Sequence, residues 1–148
     1  MIASGAGVLG GSPVVACGFE ICRSDVEWRA RLTENEYLVL RQGETERPYT
    51  SGLTEEMRSG LYHCRGCDLA VYSSDAKYNS DTGWPSFHES LPDAVRTQLD
   101  RKYIFQVRTA VNCRRCSSHL GHIFDDGPPP TGKRHCLNGL SLVFRPAK

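Results

Sequence analysis

At 148 residues the chain is long enough for one compact domain with its own core, and a second full domain is not expected. Hydrophobic residues make up 39% and charged residues 24%, a balance that excludes a disordered chain. A formal net charge of +1 gives no electrostatic excess for gripping a phosphate backbone, so nucleic acid is not an expected partner.

Met1 to Phe19 carry no charge and are mostly small or apolar. They resemble the apolar part of an export signal, but no basic start precedes them. Val14, Val15, Ala16 and Cys17 also resemble a bacterial lipobox. Residues 1–23 read as a flexible leader, with a truncated export signal as the alternative, and residues 24–148 as the functional domain. A cytoplasmic location follows from the first reading, the bacterial periplasm or envelope from the second. No run of ~18 apolar residues is present, so no transmembrane span is expected.

Structure is expected from about Ser24. Ser24 with Glu27 has capping-box spacing, in which each side chain satisfies the other residue's free backbone N–H. Val26 and Trp28 would form the buried side of a short helix. Thr33 with Glu36 repeats the device, and Tyr37, Leu38, Val39 and Leu40 give a second helix that Gly43 can stop. After Pro48 the texture changes to short β-like runs. Leu61 to Cys64 and Ala70 to Tyr72 read as strands. Tyr103, Phe105, Val107, Thr109 and Val111 alternate with mostly polar neighbours, as in one half-buried strand. Asp125 to Gly132, with three prolines and two glycines, must be loop. Leu140, Leu142 and Phe144 alternate again. The reading is a mainly β, mostly antiparallel domain with short N-terminal helices.

Seven cysteines are the most informative count. Four form two pairs, Cys64-Arg65-Gly66-Cys67 and Cys113-Arg114-Arg115-Cys116. Two residues between thiolates let one tight turn aim both sulfurs at one ion, and two such knuckles complete a tetrahedron. Thiolate softness favours zinc. Four protein ligands leave no position for water, so the metal would be structural. Redox-active Cys-x-x-Cys pairs are the rival reading, and they predict no bound metal.

Cys136 stands apart from the pairs, beside Lys133, Arg134 and His135. Cationic neighbours lower a thiol's pKa and raise its thiolate fraction. His119 and His122 could act as acids and Asn138 as an orienting amide, so the three types form a nucleophile–acid–orienter set. The aromatic segment Thr82-Gly83-Trp84-Pro85-Ser86-Phe87-His88 is either a core corner or a shallow cup for a methyl-bearing ligand. A zinc-ribbon binding module would explain the paired cysteines but not Cys136, the histidines or the aromatic segment.

Taken together, Thr45-Glu46-Arg47-Pro48, Gly60-Leu61-Tyr62-His63-Cys64, the run Thr82 to Phe87 and the run His119 to Leu142 resemble the type B methionine sulfoxide reductases. The resemblance covers about Trp28 to Pro146. It implies two twisted antiparallel sheets with N-terminal helices, and a structural zinc remote from the chemistry. It implies reduction of the R epimer of methionine sulfoxide in peptides. Cys136 would attack the sulfoxide sulfur and become a sulfenic acid, while His119 and His122 protonate the oxygen. Trp84 would pack on the substrate methyl, and Asn138, Arg134, Phe124 and Asp126 would shape the pocket. Many members carry a resolving cysteine where this chain has Thr82. Regeneration would then fall to Cys17 or Cys22, or to thioredoxin or another thiol. His135 and Gly139 are smaller departures, and a monomer is expected.

Overall fold

The computed structural model describes residues 17–103 and 105–148. The leader and the lipobox-like stretch lie outside the described residues as far as Ala16. Both capping boxes form. Ser24 and Glu27 exchange side-chain-to-backbone hydrogen bonds at the start of α1 (Asp25–Arg31), and Thr33 and Glu36 do the same for α2 (Glu34–Gln42). Gly43 ends α2 in the left-handed conformation, at φ 74°. Trp28, Tyr37, Val39 and Leu40 are buried, but Val26 is 76% exposed. Seven residues make barely two turns, and only the turn carrying Trp28 meets the core.

The strands are β1 (Gly60–Cys64), β2 (Ala70–Ser73), β3 (Lys77–Tyr78), β4 (Ser86–Phe87), β5 (Val95–Tyr103), β6 (Gln106–Cys113), β7 (His119–Phe124), β8 (Arg134–Leu137) and β9 (Leu142–Pro146). They build two antiparallel sheets, one ordered β9-β1-β2 and the other β3-β4-β8-β7-β6-β5. The fold is therefore mainly β with two short helices, as expected. Between the sheets Phe87 packs on Tyr62 and Tyr72 with ring centroids 5.0 and 4.7 Å apart, and Leu120, Leu137 and Leu142 complete a fully buried centre. Each such side chain contributes roughly 1.5–3 kcal/mol on burial.

The alternating run from Tyr103 to Val111 is not one strand. β5 ends at Tyr103 and β6 begins at Gln106, so the run crosses a hairpin turn. Phe105 at the turn is 99% exposed and Val107 is 52% exposed, whereas Ala110 and Val111 are buried. The loop expected between Asp125 and Gly132 is a loop. No helix among the described residues is long and apolar enough to cross a membrane.

Candidate active site and metal centre

The two Cys-x-x-Cys knuckles have the same backbone design. In each, the residue after the second cysteine has a positive φ, Asp68 at 66° and Ser117 at 63°. Its N–H returns to the carbonyl of the first cysteine, Cys64 or Cys113, at 2.7 and 2.9 Å. The four sulfurs lie within 4.8 Å of one another and all four residues are buried. Cys64 and Cys116 sulfurs are 3.7 Å apart, those of Cys67 and Cys113 3.5 Å. Tetrahedral zinc with bonds of about 2.3 Å would separate its thiolates by about 3.8 Å, so the donor set fits one such ion. Gly66 is required by crowding: a Cβ there would come 2.6 Å from Ser118 Oγ and 3.2 Å from Cys116 Sγ.

Basic groups surround this cluster. Arg41 donates to the Cys116 carbonyl at 2.9 Å and stacks on Trp28, whose other stacking partner is Arg23. Arg23 in turn donates to the Gly66 carbonyl at 2.8 Å. The segment before α1 is tied to the same place, with Ile21 N–H on the Arg115 carbonyl and Glu20 paired to Arg114. Cys17 and Cys22 are joined to each other in a disulfide there.

The second constellation is built by strand register. Cys136 on β8 is the direct partner of His122 on β7 and of Ser86 on β4. Direct partners present their side chains on the same face of a sheet, so thiol and imidazole share one face. The neighbouring row, Phe87, His135 and Ile123, faces the core instead. That parity decides which of two adjacent residues meets solvent chemistry. His135 turns inward and its Nδ1 meets Tyr72 Oη at 2.7 Å. Gly121 lets β7 approach β8 closely, because a Cβ there would overlap the Cys136 carbonyl.

His119 and His122 form an edge-to-face pair with ring centroids 5.1 Å apart. His122 Nε2 lies 2.8 Å from Asp100 Oδ2, and His119 Nδ1 lies 3.3 Å from Asn112 Oδ1. His119 Nε2 is buried with no hydrogen-bond partner among the described residues. Burial holds both rings neutral: it depresses His119 to about 4, and lowers His122 against the opposing pull of Asp100.

The cationic neighbours do not dominate Cys136 as the sequence suggested. Burial raises its pKa, and the opposing effects of Arg134 and a hydrogen bond from Thr82 are smaller. Lys133 is exposed, and His135 is neutral, depressed by burial to about 4. Arg134 is locked in place by Asp126 at 2.9 and 3.1 Å and lies 4.4 Å over the Phe124 ring. Arg134, Asp126, Thr82 and Tyr78 line a cavity of about 430 Å³, and of these Thr82 and Arg134 also interact with Cys136.

Trp84 and Asn138 are oriented by backbone groups of another segment. The Trp84 indole donates to the Glu46 carbonyl at 3.0 Å. The Asn138 carbonyl oxygen accepts from Glu46 N–H at 3.0 Å, and its amide nitrogen donates to the Leu120 carbonyl. Sequence reading missed Asp100, Asn112, Thr82 as a partner of Cys136, and Glu46 as a site residue. Asp100 and Asn112 sit in no motif, and although Glu46 and Thr82 lie in segments that carry the family resemblance, their contacts are with residues distant in the chain.

Buried neutral His135 and His119 make the domain acid-sensitive. Both rings titrate near 6.5 when unfolded and about 4 when folded. Between those values the unfolded chain binds more protons, so stability falls as pH drops from 6.5 to 4, by up to about 3 kcal/mol for each ring. His135→Phe is expected to lose less thermal midpoint than the wild type over that interval. Parallel melting curves at pH 7, 5.5 and 4.5 would refute this.

A β domain with a four-cysteine cluster able to hold a metal ion, and an isolated cysteine opposite paired histidines, is the arrangement of a thiol oxidoreductase. Residues 32–146 match the SelR domain family model. Over 82% of its length the chain is 48% identical to "Peptide methionine sulfoxide reductase B1, chloroplastic" of Oryza sativa subsp. japonica, of which it spans 57%. It is 44% identical to "Peptide methionine sulfoxide reductase MsrB" of Agrobacterium fabrum, covering 86% of this chain and 94% of that protein. The Thiobacillus denitrificans protein of the same name is 47% identical, over 84% and 94%. The chain belongs to the SelR family, the MsrB type of methionine sulfoxide reductases, and is an oxidoreductase.

Proposed function

We propose that the chain reduces the R epimer of methionine sulfoxide in peptides and proteins to methionine, with Cys136 as nucleophile. The observation that carries this reading is the pairing of Cys136 with His122 across β8 and β7, beside a buried His119 Nε2 that has no partner among the described residues. With Nδ1 donating to Asn112 Oδ1, the neutral His119 ring leaves Nε2 as a buried acceptor, which is costly unless a proton or a donor reaches it.

Neutral rings and a raised thiol pKa assign the proton's path. The Cys136 thiol proton passes to the imidazole pair as sulfur attacks the sulfoxide sulfur, and Asp100 stabilises the transient imidazolium. That proton passes on to the sulfoxide oxygen, which transfers to the Cys136 sulfur as S–OH, so no further proton is consumed. The S–O bond of the sulfoxide breaks, methionine leaves, and Cys136 ends as a sulfenic acid. Arg134 and the transient imidazolium face the developing negative charge. Trp84 supplies the apolar surface for the methyl group, and Phe124 and Asp126 hold Arg134. Asn138 fixes the register behind Cys136, since its amide is engaged by backbone.

Two external thiols then return Cys136 to the thiol, forming one disulfide and one water. Thioredoxin is the proposed donor. Thr82 touches Cys136 but cannot form a disulfide with it, and Cys17 and Cys22 are held at the metal knuckles in their own disulfide. The metal is proposed to be zinc, held by Cys64, Cys67, Cys113 and Cys116 and acting as a cross-link between the sheets' ends.

Mass spectrometry after one equivalent of peptide R-sulfoxide, without reductant, tests the sequence of steps. A single added oxygen on Cys136 is expected. A disulfide from Cys136 to Cys17 or Cys22 would replace external recycling with internal resolution.

A further inference from the structure

Glu46 is a buried acid with no role in the chemical steps above, yet its groups converge on the site. It is 7% exposed. Its carbonyl accepts the Trp84 indole N–H, and its N–H is accepted by Asn138 Oδ1, each at 3.0 Å. Its carboxylate Oε1 accepts the Leu140 N–H at 2.9 Å, two residues beyond Asn138. One residue thus ties the indole, the orienting amide and the turn after Cys136 into a single unit.

The surroundings of the carboxylate are unusual. Oε2 is buried without a partner among the described residues. It lies 3.4 Å from the point where a side chain at Gly139 would begin, a space that Ser51 closes from the other side. Glu46 itself lines a cavity of about 870 Å³ whose other charged residues are Glu44, Arg47, Glu56, Arg58 and Arg65. None of these is hydrogen-bonded to Glu46 Oε2. Burial accordingly pushes the Glu46 carboxyl above its ordinary range, opposed by its backbone hydrogen bonds to Leu140 and Gly139.

We infer that Glu46 is a positioning residue for the reaction, holding Trp84, Asn138 and the Gly139–Leu140 turn in register around Cys136. This rests on Cys136 being the nucleophile. The charge acts on Cys136 in the direction opposite to Arg134. The remaining groups facing the thiol are Tyr78 and, across the strand register, His122.

Glutamine at 46 keeps an acceptor for Leu140 and removes the charge, whereas alanine removes both. In the metal-loaded full chain, Glu46→Ala is expected to lower kcat for a peptide sulfoxide by about tenfold to a hundredfold, as reacting groups lose alignment. Glu46→Gln is expected to recover most of that loss. Glu46→Gln is also expected to lower the pH midpoint of iodoacetamide alkylation of Cys136, read by peptide mass, by about half a pH unit. Wild-type kcat and KM in Glu46→Ala would overturn the inference. Should the alanine variant fail to fold, an unshifted alkylation midpoint in Glu46→Gln overturns it. Alkylation reads Cys136 without turnover. A shifted midpoint in a protein that reduces no sulfoxide would therefore sink the proposed reaction and leave the placement of Glu46 standing.

Discussion

Cys136→Ser is expected to remove reduction of a peptide R-sulfoxide, by at least ~10³-fold in kcat, while the thermal midpoint stays within a few degrees of wild type. A serine hydroxyl is a far weaker nucleophile toward sulfoxide sulfur, and its oxygen cannot accept the transferred oxygen as a stable intermediate. The fold should tolerate the change because Cys136 is only partly buried and makes polar contacts with Thr82 and Arg134 that a hydroxyl can keep. Cys22→Ser serves as the control and is expected to spare the first turnover. Full activity in Cys136→Ser, measured by conversion of a sulfoxide peptide under single-turnover conditions, would reject the mechanism.

Loss of the metal should have the largest effect on stability. Structural zinc binding in small domains is worth about 10–16 kcal/mol, against a total stability of about 5–15 kcal/mol for an ordinary domain. Cys116 sits at the junction: it joins the sulfur cluster, and its carbonyl anchors Arg41 of α2. Cys116→Ser, or strong chelation, is therefore expected to abolish the cooperative melting transition. Elemental analysis of the untreated protein is expected to return one zinc per chain. A metal-free protein with an unchanged midpoint would reduce the cluster to four buried thiols.

Much of this molecule is legible in its sequence. The capping boxes at Ser24 and Thr33 and the stop at Gly43 involve residues three or four positions apart, and they formed as the spacing implied. The paired cysteines converge on one point because each knuckle is a local turn that needs only its partner nearby. Legibility failed where burial is set by distant strands. β5 (sequence VRTQLDRKY) is an edge strand with mostly exposed side chains, so no apolar alternation marks it. Val26 carries the right residue type for a core position but lies on the outer face of a two-turn helix.

Residue types and short spacings alone determined the helix starts and the two cysteine pairs, and marked Cys136 as a candidate nucleophile, because each depends on chain neighbours a few residues apart. Only the tertiary structure decided what surrounds that nucleophile. Glu46 and Asn138 are 92 residues apart in the chain, and His122 and Asp100 are 22 apart. The sign of the Cys136 shift belongs to the same class. Desolvation outweighs an adjacent arginine there, and desolvation is a property of everything packed around the thiol.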